Sequence, residues 1–259
     1  MQDNNNIPLT QAEEDQLKHN FDAVLARFDR AAQKAGRKEG DAQLVAVSKW
    51  HGLPSILAVA RHWRALGGRP VFGENYMQEV MAKQEGAAMA GEGGLVWHFT
   101  GHLQSKKARQ AVGRFELIHT LDSLTLAQNL QKTLQQGEIA VKNPNSPLLQ
   151  PVLVQVNVGL EESKSGMAPE KLEEFLIALQ GFGEVQVQGL MILPPFSEDP
   201  EATRPYFIRL RQMRDRLEKN LGIKLPHLSM GMSHDFEAAI EEGATLVRVG
   251  TDIFGQRQY

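Results

Sequence analysis

Val45-Ala46-Val47-Ser48-Lys49, near the start of the chain, and Thr245-Leu246-Val247-Arg248-Val249-Gly250-Thr251, near its end, decide the fold. Each is a short apolar run that finishes in residues with chemical potential. Six similar runs lie between them, each followed by a segment of helical character. That alternation predicts a parallel sheet with right-handed crossovers. Eight units with nearly all-apolar strands favour closure into a barrel over an open doubly wound sheet. The open sheet would want a glycine fingerprint after the first strand, and Ser48-Lys49-Trp50-His51-Gly52 is not one. The expected fold is therefore a single-domain (β/α)8 TIM barrel spanning residues 1–259, with one extra helix at the N-terminus and residues 1–10 flexible.

Working outward from the first run, Leu17, Phe21, Val24, Leu25 and Phe28 form one face of the extra amphipathic helix. Strand one spans Leu44 to Ser48, and a helix from Leu53 to Leu66 stops at Gly67-Gly68. Val71-Phe72 opens strand two, which runs into Gly73-Glu74-Asn75 and a helix from Tyr76 to Met89. Leu95 to Thr100 is strand three and Ser105 to Val112 a helix; Leu117 to Leu121 is strand four, with Asp122 or Ser123 capping the next helix. Val141 to Pro151, rich in proline and asparagine, reads as a loop. Strands five to seven span Val152 to Val158, Val185 to Leu193 and His227 to Met230. Their helices run from Pro169 to Gly181, Pro200 to Leu221 and Ser233 to Glu242.

The composition narrows the function classes. Cysteine is absent, which removes thiolate catalysis, zinc ribbons, iron–sulfur clusters and disulfides. A net charge of −3 argues against bulk attraction to nucleic acid. No run of about 18 apolar residues predicts a membrane span, and the polar start Met1-Gln2-Asp3-Asn4-Asn5-Asn6 is no secretory signal. The expected location is the cytoplasm.

Barrel sites are built from the loops at the C-terminal ends of the strands, so the residues there are the candidates. Lys49 at such a mouth, partly desolvated, can offer a free amine to an aldehyde; its ordinary alternative is a solvated lysine that ends a strand. Leu228-Ser229-Met230-Gly231-Met232-Ser233 and Arg248-Val249-Gly250-Thr251 follow strands seven and eight, where barrels often hold phosphate. Small residues let an anion reach the backbone, and the hydroxyls of Ser229, Ser233 and Thr251 can donate. Ser233 can equally cap a helix. Arg248, inside an apolar strand, needs a fixed acceptor: either a core carboxylate or a cofactor ring nitrogen. His98 and His102 are spaced like a helical metal pair but straddle a strand end, so no metal is expected. The run Arg209, Arg211, Arg214, Arg216, interleaved with Leu210, Met213 and Leu217, reads as a solvated helix covering a core.

The motifs taken together resemble the pyridoxal phosphate homeostasis protein family, relatives of the alanine racemase N-terminal barrel. They are Ala46-Val47-Ser48-Lys49, Phe72-Gly73-Glu74-Asn75-Tyr76, Trp97-His98-Phe99, Gly101-His102-Leu103-Gln104-Ser105, Gln155-Val156-Asn157, Lys164-Ser165-Gly166, Gly189-Leu190-Met191 and the two late loops with Ile253-Phe254-Gly255. The resemblance implies that pyridoxal 5′-phosphate (PLP) forms a Schiff base with Lys49. It places Asn75 near the ring, Arg248 against the pyridine nitrogen, and Ser229, Ser233, Gly250 and Thr251 around the phosphate, with Met230 also among the cofactor-binding residues. It further implies a PLP carrier or buffer in vitamin B6 homeostasis, with indirect effects on amino-acid and keto-acid balance. The expected state is monomeric, with PLP-requiring apo-enzymes as the partners to consider. Trp50-His51-Gly52 and Lys106 depart from the family pattern. A low-activity PLP-dependent racemase is the alternative; it requires a second base from Tyr76, His98 or a partner subunit, because the chain ends at Tyr259 without the second domain that supplies one in racemases. A phosphate-ligand barrel without PLP is the other.

Overall fold

Thr10 opens the first helix with a reciprocal cap: its hydroxyl accepts from Glu13 N while the Glu13 carboxylate accepts from Thr10 N, which satisfies two otherwise orphaned donors. Helix α1 then runs Gln11–Lys34. The computed structural model describes residues 7–137, 149–159 and 165–256. Thr10 is thus a structural cap and not part of a flexible tail, while residues 1–6, most of the expected loop 141–151, Lys164 and Tyr259 lie outside the described residues.

Strands β1 (Gln43–Val47), β2 (Val71–Glu74), β3 (Val96–Phe99), β4 (Leu117–Leu121), β5 (Gln150–Val156), β6 (Val185–Ile192), β7 (His227–Met232) and β8 (Leu246–Val249) close into one barrel in sequence order. All eight pairings are parallel, with β8 returning to β1 through Val45 opposite Arg248. Helices α2 (Leu53–Ala65), α3 (Met77–Met89), α4 (Ala108–Ala111), α5 (Leu124–Gln135), α6 (Leu172–Leu179), α7 (Arg204–Leu221), α8 (Phe236–Glu241) and α9 (Thr251–Phe254) complete the chain. The barrel was expected, and so was the N-terminal helix outside it.

Side chains alternate along each strand. Val45, Val71, Leu117, Leu153, Met191 and Leu246 point inward and form a small apolar plug. Their neighbours Ala46, Phe72, Ile118, Val152, Val154, Leu190 and Val247 face outward into the large layer between strands and helices. One inward step further along β3, β4 and β8 stand His98, His119 and Arg248, all buried. The interior is therefore apolar at the N-terminal end and polar toward the end where the loops gather.

Several boundaries move. Gln150 and Pro151 belong to β5, since Gln150 N donates to Glu184 O in front of β6. Strand β7 continues to Met232, and α8 begins only at Phe236. Gly231 takes a left-handed φ of 89°, and Met232 N donates to Asp235 Oδ1 at 2.7 Å. That turn occupies the three residues read as the start of the helix, so Ser233 is not its cap. Ser123, by contrast, does cap α5, accepting from Leu126 N.

Candidate functional site

The loops after β1, β2, β3, β6, β7 and β8 enclose a cavity of about 510 Å³ at the C-terminal mouth of the barrel. Lys49, Asn75, Ser233, Arg248, Gly250 and Thr251 all line it, together with Val47, His51, Thr100 and Met232. Six of the eight expected residues thus meet in one place, drawn from four strand ends. Ser229 and Met230 do not line it. Residue 229 is an inward position of β7 below the mouth, and Met230 turns outward into the core. The Ser229 hydroxyl is fully buried between Arg248 Nη1, at 2.5 Å, and His119 Nδ1, at 2.8 Å.

Lys49 is half-buried on the inward side of the β1 end, in phase with Val45 and Val47. Its backbone is fixed from behind by a buried ionic cluster. Lys83 Nζ donates to Ser48 O at 2.9 Å, to Glu74 Oε1 at 2.7 Å and to Glu79 Oε1 at 2.7 Å. Ser48 Oγ donates to Glu74 Oε1 at 2.6 Å. Burial pushes the Glu74 carboxyl above the usual carboxylate range, against the pull of Lys83. Trp50, next in the chain, holds a left-handed φ of 70°, which costs a non-glycine residue about 1 kcal/mol. Its N–H donates to Glu79 at 2.6 Å and its ring packs on Tyr76 at 4.7 Å. His51 then stacks on Phe254 at 5.1 Å. The departure at residues 50–52 is thereby built into both sides of the mouth.

Opposite Lys49 lies a cradle of small residues. Gly250 N donates to Ser233 Oγ at 3.3 Å, joining the β7 and β8 loops. A Cβ on Gly250 would come within 2.9 Å of Val47 O, so only glycine lets the loop pass this close to β1. Helix α9, not foreseen in the sequence, begins at Thr251, and the first N–H groups of a helix have no acceptor inside it. Arg27 of α1 braces the cradle from outside: it donates to Ser233 O at 3.1 Å, to Glu237 at 2.7 and 2.9 Å, and to Asp252 at 2.5 Å. Its guanidinium also lies 4.6 Å from the Phe236 ring centre. Nothing in the local sequence marks Arg27, whose role needs the tertiary fold.

Arg248 closes the floor. Its guanidinium donates to Ser229 Oγ and, at 2.9 Å, to Ile192 O. Burial pulls its pKa down to about 10, with Asp235 acting weakly the other way. Of the two acceptors considered for it, a core carboxylate is absent: no ion pair to Arg248 exists among the described residues. Asn75 Oδ1 accepts from Thr100 Oγ1 at 2.8 Å, which sets its amide at the cavity wall. His98 is buried inside the barrel, whereas His102 sits on the rim 3.4 Å from Asp122. Among the described residues no three histidine or carboxylate side chains group to hold a metal.

Residues 15–258 match the family model of the alanine racemase N-terminal domain. Over 91% of this chain and 96% of its own length, the pyridoxal phosphate homeostasis protein of Aquifex aeolicus is 45% identical. Its namesake in Pseudomonas aeruginosa is 42% identical over 94% of this chain and 96% of its own. The chain belongs to the pyridoxal phosphate homeostasis protein family. Among solved structures, PipY of Synechococcus elongatus, with PLP bound, superposes at a TM-score of 0.71 with 34% identity, covering 88% of this chain and 99% of its own. Alanine racemase of Clostridium difficile, 19% identical and covered over 57% of its length, shares the fold at a TM-score of 0.66. No helix among the described residues is long and apolar enough to cross a membrane.

Proposed function

We propose that this protein binds PLP in the mouth cavity and serves as a carrier or buffer in PLP homeostasis, without a defined reaction of its own. One observation carries the reading: an amine, an anion cradle and a buried donor-only arginine line a single cavity. When bound, PLP supplies an aldehyde that condenses with an amine, forming a C=N bond and releasing one water. Lys49 is the amine in reach. Ser233, Gly250 and Thr251 fit a phosphate, because they line the cavity as small or hydroxyl-bearing residues beside the first N–H groups of α9, which have no acceptor inside the helix. Arg248 fits the ring nitrogen. A guanidinium only donates, so it favours an unprotonated ring nitrogen, which weakens the ring as an electron sink. Asn75 flanks the ring from the β2 end.

The family's PLP-bound relative and the relatives' names support this reading over a racemase. Racemisation needs a base on each face of the reacting carbon. Of the side chains considered for the second face, Tyr76 is turned to Trp50 and His98 is buried in the barrel, so neither lines the cavity. The cofactor reaches PLP-requiring apo-enzymes from a monomer in the cytoplasm on this reading.

The test is the absorbance spectrum of the purified protein before and after borohydride, beside Lys49→Ala. A visible band that reduction fixes to Lys49, and that the variant lacks, is expected. A colourless protein that also refuses added PLP would leave only a phosphate-binding barrel. Exchange of an amino acid's α-proton in a single turnover would instead bring back the racemase.

A further inference from the structure

Arg248 carries a charge into the barrel with only neutral oxygens beside it, yet a carboxylate faces the last imidazole of the hydrogen-bonded row that starts from it. From Ser229 Oγ the contacts pass to His119 Nδ1 at 2.8 Å, and from His119 Nε2 to His98 Nδ1 at 3.0 Å. His98 Nε2 lies 3.5 Å from Glu116 Oε1, within ion-pair range but without a formed hydrogen bond, so this last link is electrostatic. Ser229, His119, His98 and Arg248 are all buried, while the Glu116 side chain is 43% exposed beside Arg69. Glu116 immediately precedes β4, so the row crosses the barrel from its N-terminal face to the floor of the mouth cavity.

The donors in this row can be assigned from the two partners that Ser229 Oγ has, Arg248 and His119. Arginine cannot accept, so Ser229 Oγ accepts from it, and the single hydroxyl proton is left for His119 Nδ1. His119 must then carry its proton on Nε2 and donate to His98 Nδ1. His98 in turn carries a proton on Nε2, facing the Glu116 carboxylate. Every donor points the same way, from guanidinium to carboxylate. The opposite set of tautomers would leave the Ser229 proton without an acceptor and aim a lone pair of His98 at a negative charge. Burial holds both imidazoles below the usual histidine range, so both are neutral.

We propose that Ser229, His119, His98 and Glu116 are positioning residues of the cofactor site, a one-way row that ties the Glu116 charge to the orientation and polarity of Arg248. Hydrogen bonds in series polarise one another in a low dielectric, so the Glu116 charge, acting on His98 across 3.5 Å, makes Ser229 a better acceptor and holds the guanidinium in one pose toward the ring. The proposal rests on PLP occupying the mouth cavity with its ring nitrogen at Arg248, and its test separates the two. In the unliganded protein, nitrogen-15 NMR of the ring nitrogens should show His98 and His119 as neutral Nε2–H tautomers between about pH 6 and 8. An Nδ1–H tautomer or an imidazolium at either position overturns the row whatever the cofactor does. In the PLP-loaded protein, Glu116→Gln keeps the shape and removes the charge. It should move the pH midpoint of the visible band by a few tenths of a unit, on the order of a twofold change in the proton equilibrium. Glu184→Gln is the control: that carboxylate lies on the same face but bonds to Gln131 and touches no member of the row, and it should leave the midpoint in place. A wild-type protein that takes up no PLP at Lys49 sinks the cofactor reading alone. A loaded protein whose midpoint ignores Glu116→Gln, or moves equally with Glu184→Gln, sinks the positioning row.

Discussion

Replacing Lys83 by methionine tests whether the loop bearing Lys49 is held by charge. The ammonium is 6% exposed and Glu74 is fully buried. It makes three of the contacts behind β1, to Ser48 O, Glu74 and Glu79. Methionine fills nearly the same volume, so the cavity term is small. What remains is a buried Glu74 whose Oε1 retains only Ser48 Oγ and whose Oε2 already has no partner. Removing one member of a buried pair costs about 3–5 kcal/mol, and that is the loss expected at pH 8. The pH dependence follows from the direction of the Glu74 shift. Its folded pKa lies above the ordinary 4.5, so the folded state holds a proton that the unfolded state has released. Stability from this group falls as pH rises from 4.5 through the folded pKa, and losing Lys83 widens that window upward. The cost of Lys83→Met should therefore shrink steadily from pH 8 to pH 5, read as urea midpoints at constant m. Adding Glu74→Gln to the variant should recover a large part of the loss at pH 8. A cost below about 1 kcal/mol, or one equal at both pH values, would refute a charge-held loop.

Four further outcomes are expected. Arg27→Ala should cost about 1 kcal/mol in urea, because its ion pairs are about one-third exposed and partly screened, and it should speed PLP loss on dialysis; unchanged retention would detach α1 from the cradle. Gly250→Ala should cost about 1–3 kcal/mol, since the new methyl meets the Val47 carbonyl, a backbone atom that cannot turn aside; a neutral variant would mean the loops are loose. Ser229→Ala leaves an Arg248 N–H and a His119 nitrogen without their shared partner, a loss of about 1–3 kcal/mol by thermal or urea unfolding. The Glu116 carboxyl is held at about 2, first by His98 and then by Arg69, so it stabilises the fold above the ordinary 4.5 and that contribution is lost as pH falls through 2. Its carbon-13 titration should show this, and His98→Phe should bring the midpoint back toward 4.5.

The parts of the molecule legible in the sequence are those fixed by local pattern. Eight apolar runs gave eight strands, because inward and outward faces of a parallel barrel are both buried and leave no polar alternation to blur them. Lys49, Ser233, Arg248, Gly250 and Thr251 stood out because they follow apolar runs whose ends share one face, and Asn75 stood out only through the family resemblance; the fold brings all six to one cavity wall. Ser229 and Met230 were not, because a run of six residues cannot show where a strand stops and a turn begins: β7 continues two residues further, which carries residue 229 down into the barrel. The alternative of Ser233 as a helix cap fails for the same reason, since the turn at Gly231 displaces the helix start. Lys83, Glu79, Arg27 and Glu116 carry no local signal at all. Each is an ordinary charged residue on an amphipathic segment, and only packing against a distant loop gives it a task.

Those silent charges divide the site between two independent supports. The amine side rests on Lys83, which reaches from α3 to the end of β1 and couples to Trp50 through Glu79. The anion side rests on Arg27, which reaches from α1 to the Ser233 loop, α8 and α9. The two clusters share no residue, and the mouth cavity lies between them. A site that binds a cofactor at its aldehyde and its phosphate gains most when the two ends are held at a fixed separation, since ordering is then complete before the ligand arrives. If the supports are independent, variants in each should add in their effect on stability within about 0.5 kcal/mol, and each should separately speed the loss of PLP from the unreduced protein. Strong coupling between Lys83→Met and Arg27→Ala in unfolding would mean that the mouth is one cooperative unit, and that the cofactor cannot leave without loosening both.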